Sequence, residues 1–170
     1  MKKLKQCLIV LLFVTTSSFA SAEVGDKAIS FALPNLLSES EEIQMKDYDD
    51  GLVLLNVWAS WCKGCKKEMP FFHKLGKKYK QNKFTVVAIN IDNKSKKAKG
   101  FLDKLNNKLD EQAEITFVYD KKKSMPKAYE AKAVPFSLLI KNGEIIKTYL
   151  GSFDENNEQD LIHDIEAALK

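Results

Sequence analysis

Leu52-Val53-Leu54-Leu55-Asn56-Val57-Trp58-Ala59-Ser60-Trp61-Cys62-Lys63-Gly64-Cys65 decides the fold. Its first seven residues, Leu52–Trp58, are apolar almost throughout, the pattern of a strand covered on both faces at the centre of a sheet. The segment 62–81 then spaces Cys65, Met69, Phe72, Gly76 and Tyr79 three or four residues apart, which predicts a helix. Pro70 falls inside that helix and is expected to kink it. Cys62 therefore lies at a helix start, where unpaired amide N–H groups and the helix dipole stabilise a thiolate. Two thiols with two residues between them, so placed, can attack, hold and release a disulfide.

Working outward, the chain opens with short extended pieces at 29–33 and 42–45. Residues 84–91 read as a second buried strand. Residues 95–109 place Ala98, Phe101, Leu102, Leu105 and Leu109 on one helical face. Ile115–Tyr119 is a strand, and Ser124 is expected to cap a short helical turn with Pro126 near its start. Residues 136–140 and 145–150 are strands joined by an Asn142-Gly143 hairpin turn. A final helix over 155–169 turns Leu161, Ile162, Ile165 and Leu169 inward. The order β-α-β-α-β-(α)-β-β-α gives an α/β fold, a mixed central sheet with helices on both faces.

The N-terminus carries a different signal. Met1-Lys2-Lys3-Leu4-Lys5 is a basic start, residues 7–14 are continuously apolar, and Ala20-Ser21-Ala22 is a small-x-small cleavage pattern. Together they predict a secretory signal peptide over 1–22, with an uncleaved anchor as the alternative. The apolar run is far short of the roughly 20 residues that span a bilayer. The chain contains no arginine, which excludes a twin-arginine signal. Cleavage leaves 148 residues, enough for one domain over 23–170, and removes Lys2, Lys3 and Lys5. The charge falls from +4 to +1, with 24 lysines against 23 acids. No basic stripe interleaves with aromatics, so no nucleic acid is expected as partner. Lys94 to Lys99 and Lys121 to Lys123 read as solvated faces.

Cys7 leaves with the signal, so the mature chain keeps only the pair. A stapling disulfide is the bland reading of it. Closing a four-residue loop yields only about 2 kcal/mol, against about 4.7 for a 100-residue loop. Adjacent thiols suit chemistry better than stapling.

The string Val57-Trp58-Ala59-Ser60-Trp61-Cys62-x-x-Cys65-Lys66-Lys67-Glu68-Met69-Pro70 resembles the exported thioredoxin-fold proteins of the TlpA/ResA type. The likeness continues through Tyr129, Val134-Pro135, Leu138-Leu139-Ile140, Asn142-Gly143 and Gly151. It implies a thioredoxin fold with an N-terminal β-hairpin extension and thiol–disulfide oxidoreductase activity outside the cytoplasmic membrane. Cys62 would be the attacking thiolate and Cys65 the resolving thiol of a redox-active disulfide. Glu68 would be a buried carboxyl exchanging protons with Cys65; a solvated first-turn glutamate is the alternative. Relatives of classical thioredoxin type carry Asp where this chain has Asn56, which leaves Glu68 as the carboxylate of these motif elements. Pro135 would be a cis-proline facing the cysteines, and Val134 would pair by backbone with an incoming extended peptide.

Trp61 would form an exposed docking rim, whereas Trp58 belongs in the core. Two departures stand out: Gly64 occupies a position that is Pro in many relatives, and Phe136 follows the proline where Thr is frequent. His73 and His163 lack zinc-ligand spacing and read as surface or core-edge residues. No metal or cofactor is called for. The expected partners are disulfide-bearing exported proteins, apocytochrome c among them, and a membrane thiol donor; the chain is expected to be a monomer. An oxidase or isomerase using the same residues, a Cys62/Cys65 metal-binding module and an inert adaptor are the other readings.

Overall fold

The computed structural model describes residues 23–38, 40–109 and 115–170; the predicted signal over 1–22 lies outside them. β1 (Ala32–Pro34) and β2 (Glu42–Gln44) form a small antiparallel hairpin. The main sheet is built from β3 (Leu52–Trp58), β4 (Phe84–Asn90), β5 (Ile115–Tyr119), β6 (Phe136–Lys141) and β7 (Glu144–Leu150). Its spatial order is β5-β4-β3-β6-β7. β3 runs parallel to β4 and antiparallel to β6, so the sheet is mixed. The helices are α1 (Lys63–Lys78), α2 (Ser95–Asn106), α3 (Ser124–Ala128) and α4 (Glu158–Ala168). This is the thioredoxin fold with the added N-terminal hairpin.

Successive strand residues point to opposite faces, and all seven residues of β3 are buried, so both faces of the sheet centre are covered. Trp58 is fully buried against Phe101 and Phe117. Asn56 is the one polar residue of β3, and register places it opposite Ser137 of β6. The Asn142-Gly143 turn has φ of 51° and 75° at its two residues, as a tight hairpin turn requires. The segment before the hairpin also joins the sheet edge, with Gly25 N–H donating to Ile145 and Ile145 N–H to Asp26.

The boundaries differ from the sequence reading at several ends. α1 stops at Lys78, where Lys80–Asn82 form a 3-10 turn and Lys83 takes φ of 52°. The helix continues on both sides of Pro70, which removes one backbone donor while buried Met69, Phe71, Phe72 and Leu75 keep the segment seated. α2 ends at Asn106, and α4 begins at Glu158 because Asp154 and Asn157 close a local turn ahead of it. Ser124 does not cap α3. Its hydroxyl donates to Asp120, and the other Asp120 oxygen accepts the Met125 N–H at 2.7 Å. A fully buried carboxylate thus does the capping. Asp120→Ala is expected to cost about 1–3 kcal/mol, read as a lower denaturant midpoint at unchanged slope.

Candidate active site

β3 ends under the cysteine turn, and the backbone there is pinned from the neighbouring strand. Both carboxylate oxygens of buried Asp92, just past β4, accept the Ser60 N–H at 3.1 and 3.2 Å. The Asp92 N–H in turn donates to the Asn90 side chain. Cys62 N–H donates to Ala59 at 3.1 Å, which closes the turn that delivers the thiol to the helix start. Cys62 is the N-cap of α1, and its sulfur accepts the Cys65 N–H at 3.1 Å. A donor so placed favours an anion on that sulfur.

The two cysteines are joined as a disulfide. Cys65 is fully buried and Cys62 lies at the surface edge of the pair, 8% exposed. The carbonyl of Val134 lies 3.6 Å from the Cys62 sulfur, and the Val134–Pro135 bond is cis. Pro135 accepts the Gly151 N–H at 3.1 Å, which ties the proline loop to the end of β7. Trp61 stands out at 64% exposure, as does Leu150 at 78%. Leu150 is paired by register with Phe136, the residue after the proline. Phe136 itself is buried against Tyr129.

Glu68 is fully buried, one turn beyond Cys65 on α1. Each carboxyl oxygen has one donor: Asn56 Nδ2 at 3.1 Å on Oε1 and Phe153 N–H at 3.0 Å on Oε2. Burial outweighs both hydrogen bonds and pushes the pKa from the ordinary 4.5 to about 8. The group therefore titrates where a proton can be exchanged at neutral pH. Asn56 also donates to Ser137 Oγ at 2.9 Å, so β3, β6, α1 and the loop after β7 converge on one carboxyl.

Gly64 is closely overlaid by that same loop. A Cβ there would lie 3.0 Å from Ser152 Oγ, 3.1 Å from Ser152 Cβ and 3.7 Å from Pro135 Cδ. His73 is half-buried, with both ring nitrogens unpartnered and its pKa lowered by burial, and His163 is exposed. Among the described residues no three His, Cys, Asp or Glu gather as a metal site. No helix among them is long and apolar enough to cross a membrane.

The structure thus brings Cys62, Cys65, Val134 and Pro135 together at one surface, with Glu68 beneath and Trp61 on the rim. Sequence reasoning missed Asp92, Ser137, Leu150 and the Phe153 amide.

A family model described as Redoxin matches residues 23–169. The chain belongs to the redoxin family. This redoxin is 32% identical over 138 residues to the thiol-disulfide oxidoreductase ResA of Bacillus thuringiensis subsp. konkukian, covering 81% of this chain and 74% of that one. It is 30% identical over 135 residues to ResA of Halalkalibacterium halodurans, covering 79% and 72%. A solved structure from Chlorobium tepidum, assigned as a thiol:disulfide interchange protein DsbE, superposes with a TM-score of 0.78 at 35% identity, covering 88% of this chain and all of that one. StoA from Bacillus subtilis superposes at 0.62 with 25% identity, covering 79% and 95%. This redoxin is a thiol–disulfide oxidoreductase of thioredoxin-like fold.

The raised pKa of Glu68 has a stability consequence. Below about pH 4.5 the carboxyl is protonated in both the folded and the unfolded chain. From about 4.5 to about 8 the folded chain keeps a proton that the unfolded chain releases. Stability therefore falls as pH rises through that window, at up to about 1.4 kcal/mol per pH unit, and the loss is complete above it. Glu68→Gln is expected to remove this slope and to be the more stable protein at alkaline pH, as measured by urea unfolding of the oxidised form across a pH series.

Proposed function

We propose that this redoxin is exported and reduces disulfides of selected extracytoplasmic proteins, with 1–22 as its signal peptide and 23–170 as its single domain. The observation that carries the reading is Cys65, fully buried one helical turn from a buried carboxyl. Neither burial nor a neighbouring carboxyl stabilises an anion on that sulfur. Oxidising dithiol proteins owe their high potential to a stabilised reduced form, and Cys65 has none of that support. That lack of support at Cys65 favours the reducing direction, set against the anion support that the Cys65 N–H gives Cys62.

In the dithiol form the Cys62 thiolate attacks one sulfur of a substrate disulfide. The S–S bond breaks, a mixed disulfide forms, and the other substrate sulfur leaves as a thiolate and takes up a proton. Cys65 gives its proton to ionised Glu68 and attacks Cys62. That step closes the Cys62–Cys65 disulfide and releases the second substrate thiolate. The substrate gains two electrons and two protons, and a membrane thiol donor returns them to the enzyme. Substrate is held as an added strand on the backbone of Val134 beside Pro135, with Trp61 and Leu150 as apolar walls. Apocytochrome c, whose thiols must be reduced before haem attachment, fits this substrate class. The chain acts as a monomer without cofactor.

Cys62→Ser is expected to abolish disulfide reduction, and Cys65→Ser to accumulate a mixed disulfide that can be recovered from cells and its partner identified. Full activity of the Cys62 variant would sink the mechanism. The reduction potential checks the direction separately. A value near or below thioredoxin's, about −270 mV, is expected, and one near −120 mV would make the protein an oxidase.

A further inference from the structure

Asn56 has both amide hydrogens committed, at 3.1 Å to Glu68 Oε1 and at 2.9 Å to Ser137 Oγ. Its Oδ1 is buried without a partner. This arrangement suits an ionised Glu68, which accepts at both oxygens, and gives the hydroxyl hydrogen of a protonated one no acceptor at either contact. The donor on Oε2 is the Phe153 backbone N–H, and a backbone donor cannot turn round. A carboxylic hydroxyl is a poorer acceptor than the carbonyl oxygen beside it, so the fixed Phe153 donor favours the carbonyl at Oε2 and the proton on Oε1. There it faces Asn56 Nδ2, donor against donor at 3.1 Å.

A half-turn of the Asn56 amide removes the conflict. Nitrogen and oxygen are nearly equal in size, and the exchange brings the orphaned Oδ1 to where Nδ2 stood. Oδ1 then accepts from Glu68, and the Ser137 hydroxyl rotates from accepting to donating on the second lone pair. The half-turn leaves the two Nδ2 hydrogens unpartnered in place of Oδ1, a cost set against the Glu68 and Ser137 hydrogen bonds gained at Oδ1.

We propose that Asn56 is a positioning residue whose amide follows the proton on Glu68, presenting Nδ2 to the carboxylate and Oδ1 to the carboxylic acid, with Ser137 reversing its hydroxyl in step. Glu68 then keeps a partner on each oxygen in both states. An aspartate at position 56 has no N–H to offer and would repel the ionised carboxyl. The inference rests on the reading of Glu68 as proton carrier for Cys65. The groups facing Glu68 are Asn56 from β3, with Ser137 of β6 behind it, Cys65 from its own helix and the Phe153 amide from the loop after β7. Burial, Phe153 and Asn56 set its affinity, with no charged neighbour among the causes.

The test is side-chain NMR of the isotope-labelled oxidised protein across a pH series. Above the Glu68 midpoint, the Asn56 amide protons are expected to show nuclear Overhauser contacts to the Glu68 γ-methylene and the Ser137 β-methylene. Below it those contacts are lost, with the midpoint of the Glu68 carboxyl signal. Glu68→Gln mimics the acid permanently, since its carbonyl accepts from Phe153 while its amide donates to Asn56. In that variant the contacts are expected to be absent at every pH. Contacts that persist below the midpoint in the wild-type protein, or that persist in Glu68→Gln, overturn the proposal. No turnover is involved, so a static amide removes this inference alone and leaves the redox chemistry to the cysteine variants.

Discussion

A strand buried on both faces has no place for an unpaired polar side chain, yet Asn56 sits in the middle of β3. Leaving a buried amide without partners costs about 1–3 kcal/mol. The surrounding elements are arranged around that demand: β6 brings Ser137 opposite by register, and α1 brings Glu68 within hydrogen-bond reach. Glu68 in turn needs a second donor, which the loop after β7 supplies from its backbone. The acid beneath the disulfide is thus the far end of a chain of satisfaction that starts in the sheet.

The same demand explains why the site is rigid on one side and open on the other. Below the disulfide Glu68 is held by the Asn56 side chain and the Phe153 backbone N–H, and Asp92 holds the Ser60 N–H. Trp61, next to Cys62, and Leu150, at the end of β7, are large apolar side chains turned to solvent. Water exclusion below keeps a proton on a carboxyl, while the apolar rim above suits the side chains of an extended partner. On the proposed reading, proton handling and recognition divide between the buried and the exposed side of the sulfur pair.

Much of this was legible in the sequence, for physical reasons that can be named. The run Leu52–Trp58 and the spacing in 62–81 reveal their elements through hydrophobic periodicity, and Cys62 and Cys65 follow from their places on that helix, whereas the burial of Glu68 was legible through family likeness. The cis-proline was legible only through family likeness, since nothing local distinguishes its bond. Ser137 stayed hidden because its role is set by register with a strand 81 residues away. Phe153 contributes a main-chain N–H, and a backbone donor leaves no mark in residue type. Asp120 took the cap expected of Ser124 because a buried carboxylate can serve the Met125 amide and the serine hydroxyl together.

Gly64 and Glu68 belong to different parts of the mechanism, one between the cysteines and the other beneath them. The structure nevertheless links them by a short mechanical lever. Ser152 rests on Gly64, and the next residue along, Phe153, holds the carboxyl. A Cβ at position 64 would press on the Ser152 side chain, which would have to give by a few tenths of an ångström. The spacer between the thiols thus lies one residue, through Ser152, from the amide that holds the acid. An engineer who changes the first to tune electron affinity has proton affinity to measure in the same variant.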